Sequence, residues 1–328
     1  MNSSDDEIAL KQFEETLTFK DGRYSVTWPW KTDQYELPEN KGLAVGRLKS
    51  LLSKLTNKPE LLRKYNEIIQ EQHENGIIER VTPTQSDGKR HFIPHHAVVK
   101  DDKATTKVRI VYDASAKSKK DNKSLNECLY RGPVLLQDLC GLLMRFRLHK
   151  VGLVADIEKA FLQIGLQVPE RDVTRFLWLK NPSEPFIDSG NLQEYRFCRV
   201  PFGVISSPFL LGATVNYHLD NYGSELAKQL KKDIYMDNVI TGVSCVSEAE
   251  SVYKEAKMIF NDASMNLREW ATNESTLNKV IPDKDQAQGG NMPVLGIMWD
   301  KIDDTLYLKG TKLVKGEQTK RVALKQIS

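Results

Sequence analysis

Cysteine is scarce in this 328-residue chain, and the little there is does not cluster. Cys128, Cys140, Cys198 and Cys245 form no Cys-x-x-Cys pair and show no metal-ligand spacing. That excludes a disulfide framework and fits a reducing, intracellular compartment. An excess of one charge is lacking too: the net charge is +3, so any nucleic-acid footprint must come from local clustering. The N-terminus, Met-Asn-Ser-Ser-Asp-Asp-Glu, is acidic and polar, unlike a secretory signal. A single stretch, Val200 to Leu219, lacks charged residues over a length that could span a bilayer. It holds Pro201, Gly203, Ser206, Ser207, Pro208, Gly212 and Asn216, so a buried loop followed by a helix is expected, with no membrane partner. There is no internal repeat. The Lys/Arg-Gly-Phe signature of an RNA-recognition domain is also missing.

What is present is ordinary globular composition, 40% hydrophobic and 28% charged, with enough chain for one large core or two subdomains. Two basic clusters stand out: Arg145-Phe-Arg-Leu-His-Lys150, and a tail from Lys309 holding Lys312, Lys315, Lys320, Arg321 and Lys325. Either cluster alone reads first as a solvated face. Residues 1–58 read as a leader extension, with a turn at Asp21-Gly22 and a short strand that Trp28-Pro29-Trp30 breaks. A helix starts at Pro59 and runs to Asn75-Gly76, with Leu62, Tyr65 and Ile69 at helical spacing.

Strand patterns follow at Gly76–Glu79, His91–Lys100 and Lys107–Asp113. Helical periodicity returns at Val134–Arg147, Pro208–Tyr222 and Ala249–Asn261. Val151–Ala155 reads as a buried strand, Lys159–Ile164 as the start of a helix, and Ile234–Gly242 as a hairpin. Phe176–Lys180 and Glu194–Val200 alternate as strands do. Val294–Trp299 reads as one strand paired through Asp303-Asp304 with Thr305–Leu308. Interleaved helices and strands that end in hairpins predict an α+β fold with an antiparallel sheet.

Two segments carry chemistry. In the first, an apolar strand delivers Asp156 at its end; in the second, an apolar run is interrupted by Asp237-Asn238. Each has a bland reading: Asp156 as a helix cap, and Asp237-Asn238 as the residues of a type I′ turn. Together, two such carboxylates suit a shared Mg²⁺ site. That ion takes hard oxygens and completes its shell with water and substrate phosphates. Two ions can serve both the attacking and the leaving oxygen of an in-line displacement.

The sequence also resembles a reverse transcriptase, block by block and in order. The matching blocks are Gly76–Glu79, His95–Lys100, Arg109–Ser115, Asp156–Phe161, Val200–Pro208, Tyr235–Asn238, Asn266–Trp270 and Val294–Ile297. The spelling of Arg109–Ser115, Phe146–Lys150, Asp156–Lys159 and Gly22–Tyr24 is similar to BEL/Pao LTR retrotransposons.

The resemblance implies a right-hand polymerase fold, a palm with an antiparallel sheet backed by helices, plus fingers. The implied division is a leader at 1–58, fingers at 59–133 and 166–200, and palm at 134–165 and 201–300. Residues 301–328 would begin a connection to a thumb that is not visible, as in a fragment of a polyprotein. The implied activity is extension of a primer on an RNA or DNA template by deoxynucleoside triphosphates. Implied partners are the protease, RNase H and integrase of the polyprotein, in a cytoplasmic virus-like particle.

By the same resemblance, Asp156 and Asp237 ligate two Mg²⁺ (or Mn²⁺) with the Ile157 carbonyl, and Asn238 belongs to the catalytic turn. Lys100 and Arg109 hold the triphosphate. Phe161 excludes a 2′-hydroxyl, although by itself it reads as a core residue. Phe202, Gly203 and Ser207 lie near the nucleotide, while Arg268 and Trp270 pack and position.

The chain departs from many relatives at three places. Asn238 stands for a second Asp, Phe202 for a Gln, and Lys159 for an acidic residue. The first departure leaves a second reading open: a decayed or co-opted element that binds nucleic acid without polymerising.

Overall fold

Period-two apolar runs and amphipathic stripes alternate along the chain. The computed structural model, which describes residues 4–31, 37–82, 89–102, 105–188 and 190–308, folds them into a mixed helix and sheet architecture. In chain order the elements are α1 (Asp5–Thr16), β1 (Thr18–Lys20), β2 (Arg23–Val26), α2 (Lys41–Thr56), α3 (Pro59–Glu74), β3 (Ile78–Arg80), β4 (His95–Asp102), β5 (Thr105–Tyr112) and α4 (Leu125–Cys128). Then come α5 (Leu139–Arg147), β6 (Val151–Ile157), β7 (Gly165–Leu166), β8 (Arg175–Leu179), β9 (Leu192–Phe197), α6 (Ser207–Tyr222) and α7 (Glu225–Asp233). The last are β10 (Ile234–Tyr235), β11 (Asn238–Val243), α8 (Val246–Asn261), β12 (Leu267–Thr272), β13 (Asn291–Val294), β14 (Ile297–Asp300) and β15 (Thr305–Tyr307). The chain divides into two compact units. One holds Met1–Leu136, Glu158–Lys231 and Met258–Asn266; the other holds Gln137–Ile157, Lys232–Lys257 and Leu267–Ser328.

In the first unit, α1 opens with a capping box. Glu7 N–H donates to Ser4 Oγ (3.2 Å) and Ser4 N–H donates to the Glu7 carboxylate (2.9 Å). Along α2, Ala44, Leu48, Leu51, Leu52 and Leu55 recur at helical spacing and are all buried. Within residues 4–31 and 37–58 lie two helices and a hairpin, whose apolar residues Ala9, Phe13, Tyr24, Val26, Leu48 and Leu52 are buried. The sheets are β3-β9-β8, the hairpin β4-β5, and β1-β2-β7, in which β2 and β7 run parallel. A buried ion network braces the β9-β8 sheet. Asp172 accepts from Arg175 (2.8 Å) and Arg196 (2.8 Å), Glu79 accepts from Arg196 (2.6 Å), and Glu194 from Arg175 (2.9 Å).

The second unit is organised by one antiparallel sheet of order β10-β11-β6-β12. Six of the seven β6 residues are buried, as a central strand requires. Behind the sheet, Leu142, Phe146, Val154, Ile240, Ala271, Val294 and Trp299 form one apolar cluster. Phe146 meets Trp299 edge-on at 5.0 Å, a pairing worth about 1 kcal/mol beyond the area it buries.

Several local expectations differ from what forms. The helix expected over Val134–Arg147 begins only at Leu139, where Asp138 caps it by accepting from Gly141 N–H (2.6 Å). Lys159–Ile164 is a single 3₁₀ turn over Ala160–Gln163, entered through Lys159 at φ +48°. Val294–Trp299 is two strands, because Leu295 (φ +50°) and Gly296 (φ +87°) make a tight turn between β13 and β14. Val200–Leu219 is a loop running into α6, and among the described residues no helix is long and apolar enough to cross a membrane. The basic tail from Lys309 lies outside the described residues.

Candidate active site

Asp156 and Asp237 are brought together by strand register within the second unit. β6 and β11 pair antiparallel with Asn238 opposite Asp156, and Ile157 N–H donates to the Asp237 carbonyl (2.8 Å). Asp237 itself sits in the two-residue turn between β10 and β11, since Tyr235 pairs with Asn238. The turn residues are thus Met236 and Asp237 rather than Asp237 and Asn238. Met236 takes φ +59° while Asp237 does not share it, the pattern of a type II′ turn. Glycine normally fills that first position, so Met236 holds a conformation costing on the order of 1–2 kcal/mol. The turn keeps Asn238 in the sheet and lifts Asp237 to its end.

The electrostatics of the pair are uneven. Burial pushes the Asp237 carboxyl above the ordinary carboxylate range, and hydrogen bonds from its own backbone and from the Asn238 amide (2.8 Å) offset only part of this. Asp156 faces a cation on its other flank. β12 places Arg268 opposite Asp156, with Arg268 Nε 3.9 Å from Asp156 Oδ1. A bulge follows, with Glu269 at φ +53°, and it turns Trp270 into the core against Tyr253 (5.0 Å). Trp270 therefore packs in the core, and Arg268 lies beside Asp156.

Among the described residues no group of three or more His, Cys, Asp or Glu side chains could hold a metal. The second unit offers two carboxylates and a backbone carbonyl. That donor set fits Mg²⁺ with water and phosphate completing the shell, and does not fit a soft metal.

The aromatic residues assemble separately, within the first unit. Phe161, Phe202, Gly203, Val204, Ile205, Ser207, Pro208 and Arg131 line a cavity of about 400 Å³. Phe161 is buried and meets Phe202 edge-on at 4.6 Å. Gly203 has φ +93°, and a Cβ there would lie 2.4 Å from the Tyr112 carbonyl oxygen, so no other residue fits. Ser207 contributes to the wall, but its hydroxyl is committed to the Pro201 carbonyl (2.7 Å), a bond that shapes the turn rather than one offered to a ligand.

Sequence reasoning missed two members of this site. Arg131 brings the only formal charge among the lining residues. Asn126 staples the loop: its Nδ2 donates to Ser115 Oγ (2.8 Å) and the Gly203 carbonyl (3.3 Å), and its Oδ1 accepts from Ile205 N–H (2.8 Å). Gly132-Pro133 beside Arg131 marked a turn; nothing local singled out Asn126. Arg109 is exposed on β5 opposite Val98 and is not among the cavity residues. Lys100 pairs with Lys107 in the same hairpin, and its side chain lies outside the described residues.

No protein family and no curated protein matches the sequence. Among solved structures, the chain is similar to the foamy viral protease-reverse transcriptase dRH in complex with double-stranded DNA, at 17% identity and a TM-score of 0.53 over 80% of this chain and 38% of that one. It is similar also to the foamy viral protease-reverse transcriptase in complex with double-stranded DNA, at 18% identity and a TM-score of 0.53 over 80% of this chain and 45% of that one. The chain spans less than half the length of either structure. Its fold is reverse transcriptase-like.

Proposed function

We propose that this chain is the palm and fingers of an RNA-directed DNA polymerase of the BEL/Pao type, with the catalytic strands of the palm in the second unit. One observation carries the reading. The β6–β11 register sets Asp156 and the Met236-Asp237 turn at one end of one sheet. Tyr235-Met236-Asp237-Asn238 and Asp156-Ile157-Glu158-Lys159-Ala160-Phe161 stand where the resemblance requires them. The likeness to reverse transcriptases solved with double-stranded DNA makes a primer–template duplex the expected partner.

In this reading Asp156, Asp237 and the Ile157 carbonyl hold Mg²⁺. When bound, it would neutralise the triphosphate and acidify the primer 3′-hydroxyl. The 3′-oxygen bonds to the α-phosphorus of a deoxynucleoside triphosphate, and the bond to pyrophosphate breaks. Arg268 sets a positive charge beside Asp156, and Asn238 orients Asp237 through its amide. Phe161, fixed by Phe202 and by the loop that Asn126 staples, presents a rigid wall that leaves no room for a 2′-hydroxyl. Arg131 and Arg109 are the cations suited to phosphate oxygens.

The test is primer extension on an RNA template across a Mg²⁺ titration, using this chain extended C-terminally through a thumb. Asp156→Asn serves as the inactive control and Asn238→Asp as the comparison. Extension by the parent protein, changed only modestly by Asn238→Asp, is the expected result. An inert parent that Asn238→Asp restores by orders of magnitude would show instead a binding protein that has lost catalysis.

A further inference from the structure

Helix α2 carries a basic stripe that the catalytic reading leaves unused. Arg47, Lys54 and Lys58 are exposed, and among the described residues none of the three side chains has an ion-pair or hydrogen-bond partner. They border a groove of about 680 Å³, walled by α2 and the start of α3 on one side and by Pro94, His95, His96, Ala97 and Val99 on the other. Its floor is apolar, formed by Leu51, Leu55 and Leu61, and its one carboxylate, Asp113, already accepts from Ser115 N–H (3.1 Å).

We infer that this groove binds the phosphate backbone of a single-stranded nucleic acid. The three cations do not converge on a point, as they would around one small anion. Arg47 and Lys54 are seven residues apart on one helical face, about 10 Å at 1.5 Å per residue, and Lys58, the N-cap of α3, borders the same groove. A row of unpaired cations along an open groove matches a linear polyanion. The groove's volume is that of a small-ligand cleft, enough for a nucleotide or two of a single strand, and the duplex is the alternative that the experiment tests. No Phe, Tyr or Trp lines it and His96 is its one exposed ring, so the contacts are chiefly to phosphate and binding depends little on sequence. The inference rests on the polymerase reading only for the choice of polyanion.

The experiment measures fluorescence anisotropy of the whole chain with oligouridylate and with a blunt DNA duplex of equal length, over a range of salt. Parent protein is compared with Arg47→Ala/Lys54→Ala/Lys58→Ala and with Arg47→Lys/Lys54→Arg/Lys58→Arg, and circular dichroism confirms that each variant folds. The alanine variant should bind the single strand about tenfold more weakly, with a salt slope shallower by about 2, since each phosphate contact on a single strand contributes about 0.7. It should bind the duplex like the parent, and the charge-conserving variant should match the parent on both probes. Equal losses on both probes, or no loss on the single strand, overturns the inference while leaving the polymerase reading intact. Polyglutamate binding as tightly as oligouridylate, and lost in the alanine variant, would assign the groove to an acidic protein and overturn it too. A parent that binds neither probe overturns this inference and leaves the polymerase reading to the primer-extension test.

Discussion

The carboxylate end of the second unit and the aromatic cavity of the first are built by different means. Asp156 and Asp237 are placed by backbone pairing: a strand buried at six of seven positions, a fixed register, and a turn strained at Met236. The cavity is placed by side chains holding a loop, with Asn126 bonded to Gly203 and Ile205, and Ser207 bonded to Pro201. Register is set by many bonds at once and resists single substitutions. A stapled loop depends on one or two residues. The second unit should therefore tolerate changes around its site that the first does not.

The largest effect is expected where register cannot compensate. Asp156→Asn should cut extension by about a thousandfold or more while leaving duplex affinity near the parent value, because phosphate contacts from Lys and Arg dominate affinity. Retained extension in a single-turnover assay would remove Asp156 from the chemistry. Next comes stability of the first unit. Asp172→Ala takes one of two carboxylate partners from each of Arg175 and Arg196, both nearly fully buried, leaving Glu194 and Glu79, and should cost about 1–3 kcal/mol. Hydrogen exchange should then open β8 and β9 while β6 and β11 stay protected. Equal opening of both sheets would contradict the separate construction of the units.

Asn126→Ala tests the staple. It should lower incorporation about tenfold and relax discrimination against ribonucleotides, with a stability loss of about 1–2 kcal/mol. Phe161→Ala should relax the same discrimination more strongly with deoxynucleotide use largely kept. If Asn126→Ala leaves the ribonucleotide ratio untouched while Phe161→Ala changes it, the loop does not hold the wall.

The smallest effect concerns pH. The Asp237 carboxyl holds its proton to higher pH than an unfolded one, so its contribution to stability falls as pH rises through the carboxylate range. Asp237→Asn removes that penalty. Its melting temperature should exceed the parent's at neutral pH and converge with it in acid. A variant that melts lower than the parent at neutral pH would show that burial does not disfavour the charged form.

Much of the second unit was legible because its signals are local. The apolar run Val151–Ala155 ends in a carboxylate, and the hairpin announces itself through Ile234–Gly242. What was not legible depended on backbone angles and distant partners. Nothing in Tyr-Met-Asp-Asn says that Met236, the less tolerant residue, takes the positive φ, because the choice is made by the pairing of Asn238 with Asp156. Leu295-Gly296 splits a strand that reads as continuous, since a glycine inside a strand pattern marks a turn only once its neighbours are known. The basic stripe of α2 went unread with the helix itself, although Leu48, Leu51, Leu52 and Leu55 carried the period. Asn126 reaches Gly203 and Asp172 reaches Arg196 across sequence gaps that no local window can show.

The pairing that sets the carboxylate end has a consequence for how the protein is made. Strand β6 leaves the ribosome well before β11, because residues 158–231 of the first unit are synthesised between them. At ordinary rates of synthesis that delay is on the order of ten seconds. For that interval Val151–Ala155 is an uncharged, apolar edge with no neighbour to hydrogen-bond, the kind of segment that recruits strands from other chains. Nascent chains released before Val243 should therefore accumulate in the insoluble fraction. Those released beyond Thr272, with β11 and β12 both in place, should remain soluble, so a series of stalled truncations would locate the point in synthesis at which the sheet closes.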